Sequence, residues 1–205
     1  MKRTVTIVNF GMGNLASVAN AVRSLDHIAH VSTDPEEVAN ASKLIVPGVG
    51  AFHEGMKNIV ARDLREPILQ AVARGTHVLG ICLGMQMFMR RSFEFEVQEG
   101  FSLFEGDVER IDAESFGLRL PHIGWNATKF CSDHPILAGI PDGHCFYYLN
   151  SYVCVCDDDR DVLAKFEYAR PYVGAIAKDN VVGVQFHPEK SQTYGLRLLK
   201  NFIEG

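Results

Sequence analysis

Gly80-Ile81-Cys82-Leu83-Gly84 lies between two stretches of different character. Thr76-His77-Val78-Leu79 before it reads as a short buried strand, and Met85-Gln86-Met87-Phe88-Met89 after it as the start of an apolar helix. A Gly-x-Cys-x-Gly at such a junction is a nucleophile elbow. The turn is tight, so the flanking positions must be small. It lifts the sulfur clear of the sheet and aims backbone N–H groups at whatever the sulfur attacks. The partial positive charge of the helix N-terminus favours thiolate over thiol. A buried cysteine is ordinarily core filler. Two flanking glycines are poor choices for plain packing, and a second stretch, Val184-Gln185-Phe186-His187-Pro188-Glu189, tips the balance towards chemistry.

Upstream of the elbow the chain alternates strand and helix. Val5–Phe10 is a first strand, Gly11-Met12-Gly13-Asn14 a turn, and Leu15, Val18, Ala19, Val22 and Leu25 the apolar face of a helix. The Gly-x-Gly hints only weakly at phosphate binding, since no third glycine or ribose-binding acid follows. Ile28–Ser32 is a second strand. Asp34-Pro35-Glu36-Glu37 starts a helix, with Asp34 as N-cap, and Leu44-Ile45-Val46 is a third strand. Pro47-Gly48-Val49-Gly50-Ala51-Phe52 is either a plain loop or one presenting N–H groups to an anion. Helical patterns run from Phe52 to Ala73, with Asp63 as a cap between two helices and Gly75 ending the second. This is the signature of a parallel sheet with helices on both faces. Sites in such sheets lie at the carboxyl ends of the strands, where Cys82 and the Gly48–Gly50 loop both fall.

Downstream the pattern changes to short alternating runs, at Val108–Ile111, Arg119–Ile123, Cys145–Leu149, Val153–Val155, Val162–Phe166, Val173–Ala177 and Val181–Gln185. Lys178-Asp179-Asn180 is a hairpin turn, Cys154 and Cys156 share one strand face, and Ser191–Ile203 is a closing helix. The expected architecture is α/β: a mostly parallel, flavodoxin-like central sheet flanked by helices, with additional antiparallel strands in the second half. With no repeat or linker, residues 1–205 read as a single domain.

Composition narrows the function. The 205 residues suffice for one full core. With 47% hydrophobic and 22% charged residues and no apolar run of about 18, the expectation is a soluble protein that does not enter a membrane. The N-terminus lacks a signal-peptide pattern. A net charge of −5 without a basic cluster disfavours nucleic acid. Five scattered cysteines point to a reducing cytoplasm. The spacing of Cys131, His134, His144 and Cys145 matches no zinc pattern, so no metal is expected.

His187 ends a strand and is held by Pro188. Glu189 can reach back to the imidazole, fix its tautomer and stabilise the imidazolium formed when His187 takes the Cys82 proton. Cys82, His187 and Glu189 thus form a triad with cysteine as nucleophile.

Gly80-Ile81-Cys82-Leu83-Gly84-Met85-Gln86 together with Gln185-Phe186-His187-Pro188-Glu189 resembles the class I (triad) glutamine amidotransferases. In detail the chain is similar to the glutaminase subunits of imidazole glycerol phosphate synthases. Pro47-Gly48-Val49-Gly50-Ala51-Phe52, Pro121-His122-Ile123-Gly124-Trp125-Asn126, Gly11-Met12-Gly13-Asn14-Leu15, Tyr147-Tyr148-Leu149-Asn150-Ser151-Tyr152 and Glu189-Lys190-Ser191 carry that likeness over essentially the whole chain. It implies glutamine as substrate, a glutamyl thioester on Cys82, an oxyanion hole from the backbone N–H groups of Leu83 and Val49, and no cofactor. Substrate contacts implied are Gly50, Gln86, Glu94, Ser151 and Tyr152. The implied partner is a β/α-barrel cyclase that receives ammonia, with Asn14, Trp125, Tyr147 and Lys190 at the interface or channel mouth. The Val49 peptide is implied to reorient before it can donate. Asn9-Phe10-Gly11, Asn150 and the aromatic Arg91–Glu96 segment depart from the usual pattern. They leave open a sister branch that feeds ammonia to nucleotide-sugar-modifying enzymes. The same fold would also suit a non-catalytic regulatory subunit or a free-standing cysteine hydrolase.

Overall fold

The computed structural model describes residues 1–205. In chain order the elements are β1 (Thr4–Val8), α1 (Leu15–Ser24), β2 (Ile28–Ser32), α2 (Pro35–Ala39), β3 (Lys43–Gly48), α3 (Phe52–Ala61), α4 (Arg65–Ala73), β4 (His77–Cys82) and α5 (Leu83–Met87). Then follow β5 (Met89–Ser92), β6 (Gln98–Glu99), β7 (Phe104–Arg110), β8 (His122–Phe130), β9 (Cys145–Asn150), β10 (Tyr152–Cys156), β11 (Val162–Tyr168), β12 (Arg170–Lys178), β13 (Val181–Val184) and α6 (Gln192–Glu204).

A nine-stranded sheet runs β2-β1-β3-β4-β13-β12-β11-β8-β9. Its first five strands are parallel and form a doubly wound half. The remaining pairings are antiparallel. The expected α/β sheet with antiparallel additions is what forms. A second sheet runs β10-β7-β5-β6; the runs at Val108–Ile111 and Val153–Val155 mark β7 and β10, while β5 and β6 have no counterpart in the sequence pattern.

Strand periodicity sorts the core onto two faces. Ile45, Leu79 and Ile81 face one side with Val18 and Val22 of α1 and Leu198, Leu199 and Phe202 of α6. Leu44, Val46 and Val78 face the other with Phe52, Met56 and Ile59 of α3 and Ile68 of α4. Each such fully buried aliphatic side chain stabilises the fold by roughly 1.5–3 kcal/mol. Cys154 packs in the second cluster and Cys156 against it, on one strand face as expected.

Several boundaries differ from the sequence reading. β1 stops at Val8, and Phe10 is buried as part of the following turn. Asp63 caps neither helix with its side chain; it takes a left-handed φ of 54° just after α3, and Leu64 precedes α4. The helix after Cys82 is only one turn long. Residues 85–89 are buried on all sides, so their sequence has no period to separate helix from strand, and the chain passes directly into β5. The strand expected at 119–123 instead spans His122–Phe130. The Asp179-Asn180 hairpin between β12 and β13 forms as expected, with Lys178 paired to Val181.

Candidate active site

The elbow is strained as its motif requires. Cys82 ends β4 with φ 54° and ψ −108°, outside the relaxed regions for a side-chain-bearing residue. The flanking glycines have no room for a side chain. A Cβ on Gly84 would lie 1.8 Å from the Val46 carbonyl oxygen of β3, and one on Gly80 would meet the Phe88 ring at 2.5 Å. The turn is thus pressed against β3, whose last residue, Gly48, stands in register with Cys82.

Across β4, β13 delivers His187. The imidazole is almost wholly buried, and its Nδ1 lies 2.9 Å from Glu189 Oε1, also buried. Nε2 is buried with no hydrogen-bond partner. Burial works against the imidazolium, but the neighbouring Cys82 sulfur and Glu189 carboxylate outweigh it and push the His187 pKa up to about 10. At neutral pH the proton therefore rests on His187. The motif alone suggests that His187 takes the Cys82 proton during attack; the raised pKa favours the protonated imidazole before that step.

The sulfur faces a cavity of about 240 Å³ lined by Val49, Gly50, Cys82, Gln86, Glu94, Pro121, Leu149, Asn150, Ser151 and Tyr152. All five expected substrate residues are in that wall. Gly50 sits at φ +108° at the lip. Glu94 reaches in from the connection between β5 and β6. Its carboxylate accepts the Phe52 N–H at 2.6 Å, capping α3, whose own preceding residue offers no side-chain cap, and its carbonyl accepts the Tyr152 hydroxyl at 3.0 Å. Gln86 donates to the Tyr152 carbonyl at 2.9 Å and to Gln185 Oε1 at 3.0 Å. Leu83 opens α5, so its N–H is among those a helix leaves unpaired, and the Val49 N–H makes no hydrogen bond within the chain.

Trp125, Tyr147 and Lys190 come together beside this site. Trp125 is 49% exposed, which settles its position on the surface rather than in the core. Its ring centre lies 6.1 Å from that of Tyr147, and Lys190 Nζ sits 5.5 Å above the Tyr147 ring. Tyr147 in turn is 6.5 Å from the His187 ring. Asn14 has a structural task as the N-cap of α1, accepting from Ser17 N–H. Cys131, His134, His144 and Cys145 do not converge: His144 packs edge-on to Tyr194, and His134 Nδ1 accepts the Ile136 N–H.

Residues without a role in the sequence reading also line the site. Pro121 and Asn150 belong to its wall. Gln185, fully buried, places Nε2 3.6 Å from the Cys82 sulfur. Its only sequence signal is its place in the Gln-Phe-His-Pro-Glu stretch.

The strained cysteine elbow, the buried His–Glu pair and a pocket with one carboxylate in its wall all lie at the carboxyl edge of the parallel strands. The family profile of Glutamine amidotransferase class-I matches residues 6–205, and the chain belongs to that family. Within it, the chain is 44% identical over 198 residues to imidazole glycerol phosphate synthase subunit HisH of Symbiobacterium thermophilum, covering 97% of this chain and 92% of that one. It is 40% identical to the HisH subunit of Caulobacter vibrioides over 209 residues, with 98% of each covered. Among solved structures, a chain of PurLQS from Thermotoga maritima superposes with a TM-score of 0.76 at 17% identity, covering 100% of this chain and 99% of that one. A glutamine amidotransferase from the same organism gives 0.67 at 16% identity, covering 100% and 82%. These two show the fold alone.

Proposed function

We propose that this chain hydrolyses glutamine to glutamate and ammonia and hands the ammonia to a cyclase subunit that forms imidazole glycerol phosphate in histidine biosynthesis. The observation that carries the chemistry is the strained Cys82 sulfur facing the cavity beside the buried His187–Glu189 pair. Cys82 attacks the side-chain amide carbon of glutamine. The Leu83 and Val49 N–H groups receive the oxyanion. His187 gives its proton to the departing ammonia. Once the thioester forms, the negative charge on sulfur is gone, one of the influences holding the His187 pKa high disappears, and the neutral imidazole can activate water for deacylation. Gly50, Gln86, Glu94, Ser151 and Tyr152 hold the substrate. Glu94 supplies the negative charge that an α-ammonium group requires.

The HisH relatives support the histidine-pathway partner over the sugar-modifying branch, and the intact triad argues against a non-catalytic subunit. The partner is a β/α-barrel cyclase, docked on the patch formed by Trp125, Tyr147 and Lys190, with Tyr147 linking the patch to His187. Residues 1–205 act as one glutaminase domain. No helix is long and apolar enough to cross a membrane. The free state of all five cysteines suits a cytoplasmic setting.

The test is glutamate release from glutamine by the purified chain, alone and with the cyclase and its nucleotide ligand. Little activity alone and a large rise with the loaded cyclase is the expected result. Cys82→Ala should abolish glutamine-driven synthesis while leaving synthesis from ammonium salts intact. High activity alone, unchanged by the cyclase, would point instead to a free-standing hydrolase.

A further inference from the structure

Gln185 leaves β13 two residues before His187, with its N–H fixed to the Gly174 carbonyl at 2.9 Å and its side chain fully buried. A buried carboxamide needs partners for both ends, and here each end is determined by its neighbour. Gln86 spends Nε2 on two acceptors, the Tyr152 carbonyl and Gln185 Oε1. Reversing Gln86 would set oxygen against oxygen at both contacts, so its orientation is fixed. Gln185 therefore presents Oε1 to Gln86 and must turn Nε2 the other way, where it meets the Cys82 sulfur at 3.6 Å. The sulfur also lies 3.9 Å from the Leu149 carbonyl oxygen, which can only accept, and beside the His187 imidazole.

We propose that the Gln185 carboxamide is a dedicated hydrogen-bond donor to the Cys82 sulfur, aimed by Gln86, that favours the ionised nucleophile and holds it in the attacking position on its strained turn. A donor facing an anion is worth about twice a neutral hydrogen bond, and this one is shielded from water. It acts on the same sulfur that the buried His187 ring lies beside. Because Gln86 also lines the cavity, the relay from pocket wall to nucleophile consists of only two side chains.

The proposal rests on the reading of Cys82 as the nucleophile for glutamine, but its test does not require glutamine. Alkylation of Cys82 by iodoacetamide, read at that residue by peptide mass spectrometry, is followed from pH 5 to pH 10 in the full chain. Gln185→Met keeps the volume and removes the donor. Alkylation at neutral pH should fall about tenfold, with the rate profile moved about one unit to higher pH, equivalent to one hydrogen bond to a charge. Glutamine kcat/KM should fall with KM unchanged, and Gln185→Glu, which faces the sulfur with an acceptor, should move the profile in the same direction. A Met variant whose alkylation profile superposes on the original overturns the proposal, even if turnover drops, because Gln185 would then serve packing only. If Gln185→Met does not fold by circular dichroism, Gln86→Leu tests the same relay, and an unshifted alkylation profile there overturns it as well. Failure of the unsubstituted chain to release glutamate even with the loaded cyclase present would instead refute the glutaminase reading and leave the alkylation comparison decisive for Gln185.

Discussion

Gly84→Ala is the most demanding probe of the elbow. The added Cβ would lie 1.8 Å from the Val46 carbonyl oxygen, and to reach even 3.0 Å the turn and β3 must part by about 1.2 Å. That is a quarter of the roughly 4.8 Å spacing between hydrogen-bonded strands, at the point where Gly48 and Cys82 are in register. The displacement acts directly on the distance between the nucleophile and the Val49 loop. A misplacement of about 1 Å among reacting groups costs on the order of 100-fold in rate. Overpacking at a site with no flexible neighbour costs about 3 kcal/mol, or roughly 6–12 °C in Tm for a chain of this size. Gly117→Ala provides the contrast: φ is +68° but nothing lies within 4 Å of the new Cβ, so only the left-handed backbone penalty of about 1 kcal/mol applies. Cyclase-stimulated glutamate release and thermal unfolding of both variants are the assays. Gly84→Ala with turnover within threefold of the original and Tm within 2 °C would refute the claim that contact with β3 sets the site geometry.

His187, raised from its ordinary 6.5 to about 10, binds its proton more tightly folded than unfolded. Its contribution to stability is full below about pH 6.5 and is lost as pH rises through about 10; urea unfolding at pH 7 and pH 10.5 should show a larger loss for the original chain than for His187→Gln. Glu94→Gln removes the charge from both the cavity wall and the start of α3. The KM for glutamine should rise about tenfold, the cost of one lost ion pair, with a stability loss of about 1 kcal/mol; an unchanged KM would remove Glu94 from the substrate site. Trp125→Ala should weaken cyclase binding by about 30-fold in Kd, the effect of an aromatic anchor of about 2 kcal/mol, and leave partner-free Cys82 alkylation unchanged; calorimetry with the purified cyclase measures the first.

The parallel half of the fold is legible in the sequence because its strands and helices differ in period and are punctuated by turn residues such as Asp34-Pro35 and Arg74-Gly75. Cys82, His187 and Glu189 are legible as a candidate set because such chemistry calls for those residue types in those contexts, and the fold brings His187 and Glu189 together beside Cys82. Half of the second sheet, β5 and β6, is hidden for a physical reason. β5 begins inside the apolar run at Met87–Met89, which is buried on all sides, and β6 is only two residues long. β8 is displaced from its expected place because its outward residues include Ile123 and Trp125, both exposed, so apolar and polar residues do not alternate along it as they do in a strand with one wet face. Asp63 reads as a cap because aspartate suits that position, yet its backbone adopts the left-handed turn that aspartate also tolerates. Gln185 and Asn150 escape a sequence reading because an amide in a strand pattern gives no hint of what faces it.

The contact between Glu94 and Phe52 has a mechanical consequence. Gly48 is fastened to Cys82 by strand pairing, and Phe52 is fastened to the small sheet through the Glu94 carboxylate. Only Val49, Gly50 and Ala51 span the gap between these two anchors. A span so short, pinned at both ends, cannot swing open like a hinged flap. Any rearrangement that aims the Val49 N–H into the oxyanion position must be a crankshaft rotation of one peptide plane, with Gly50 absorbing the twist, and a slight movement of either anchor is enough to bias it.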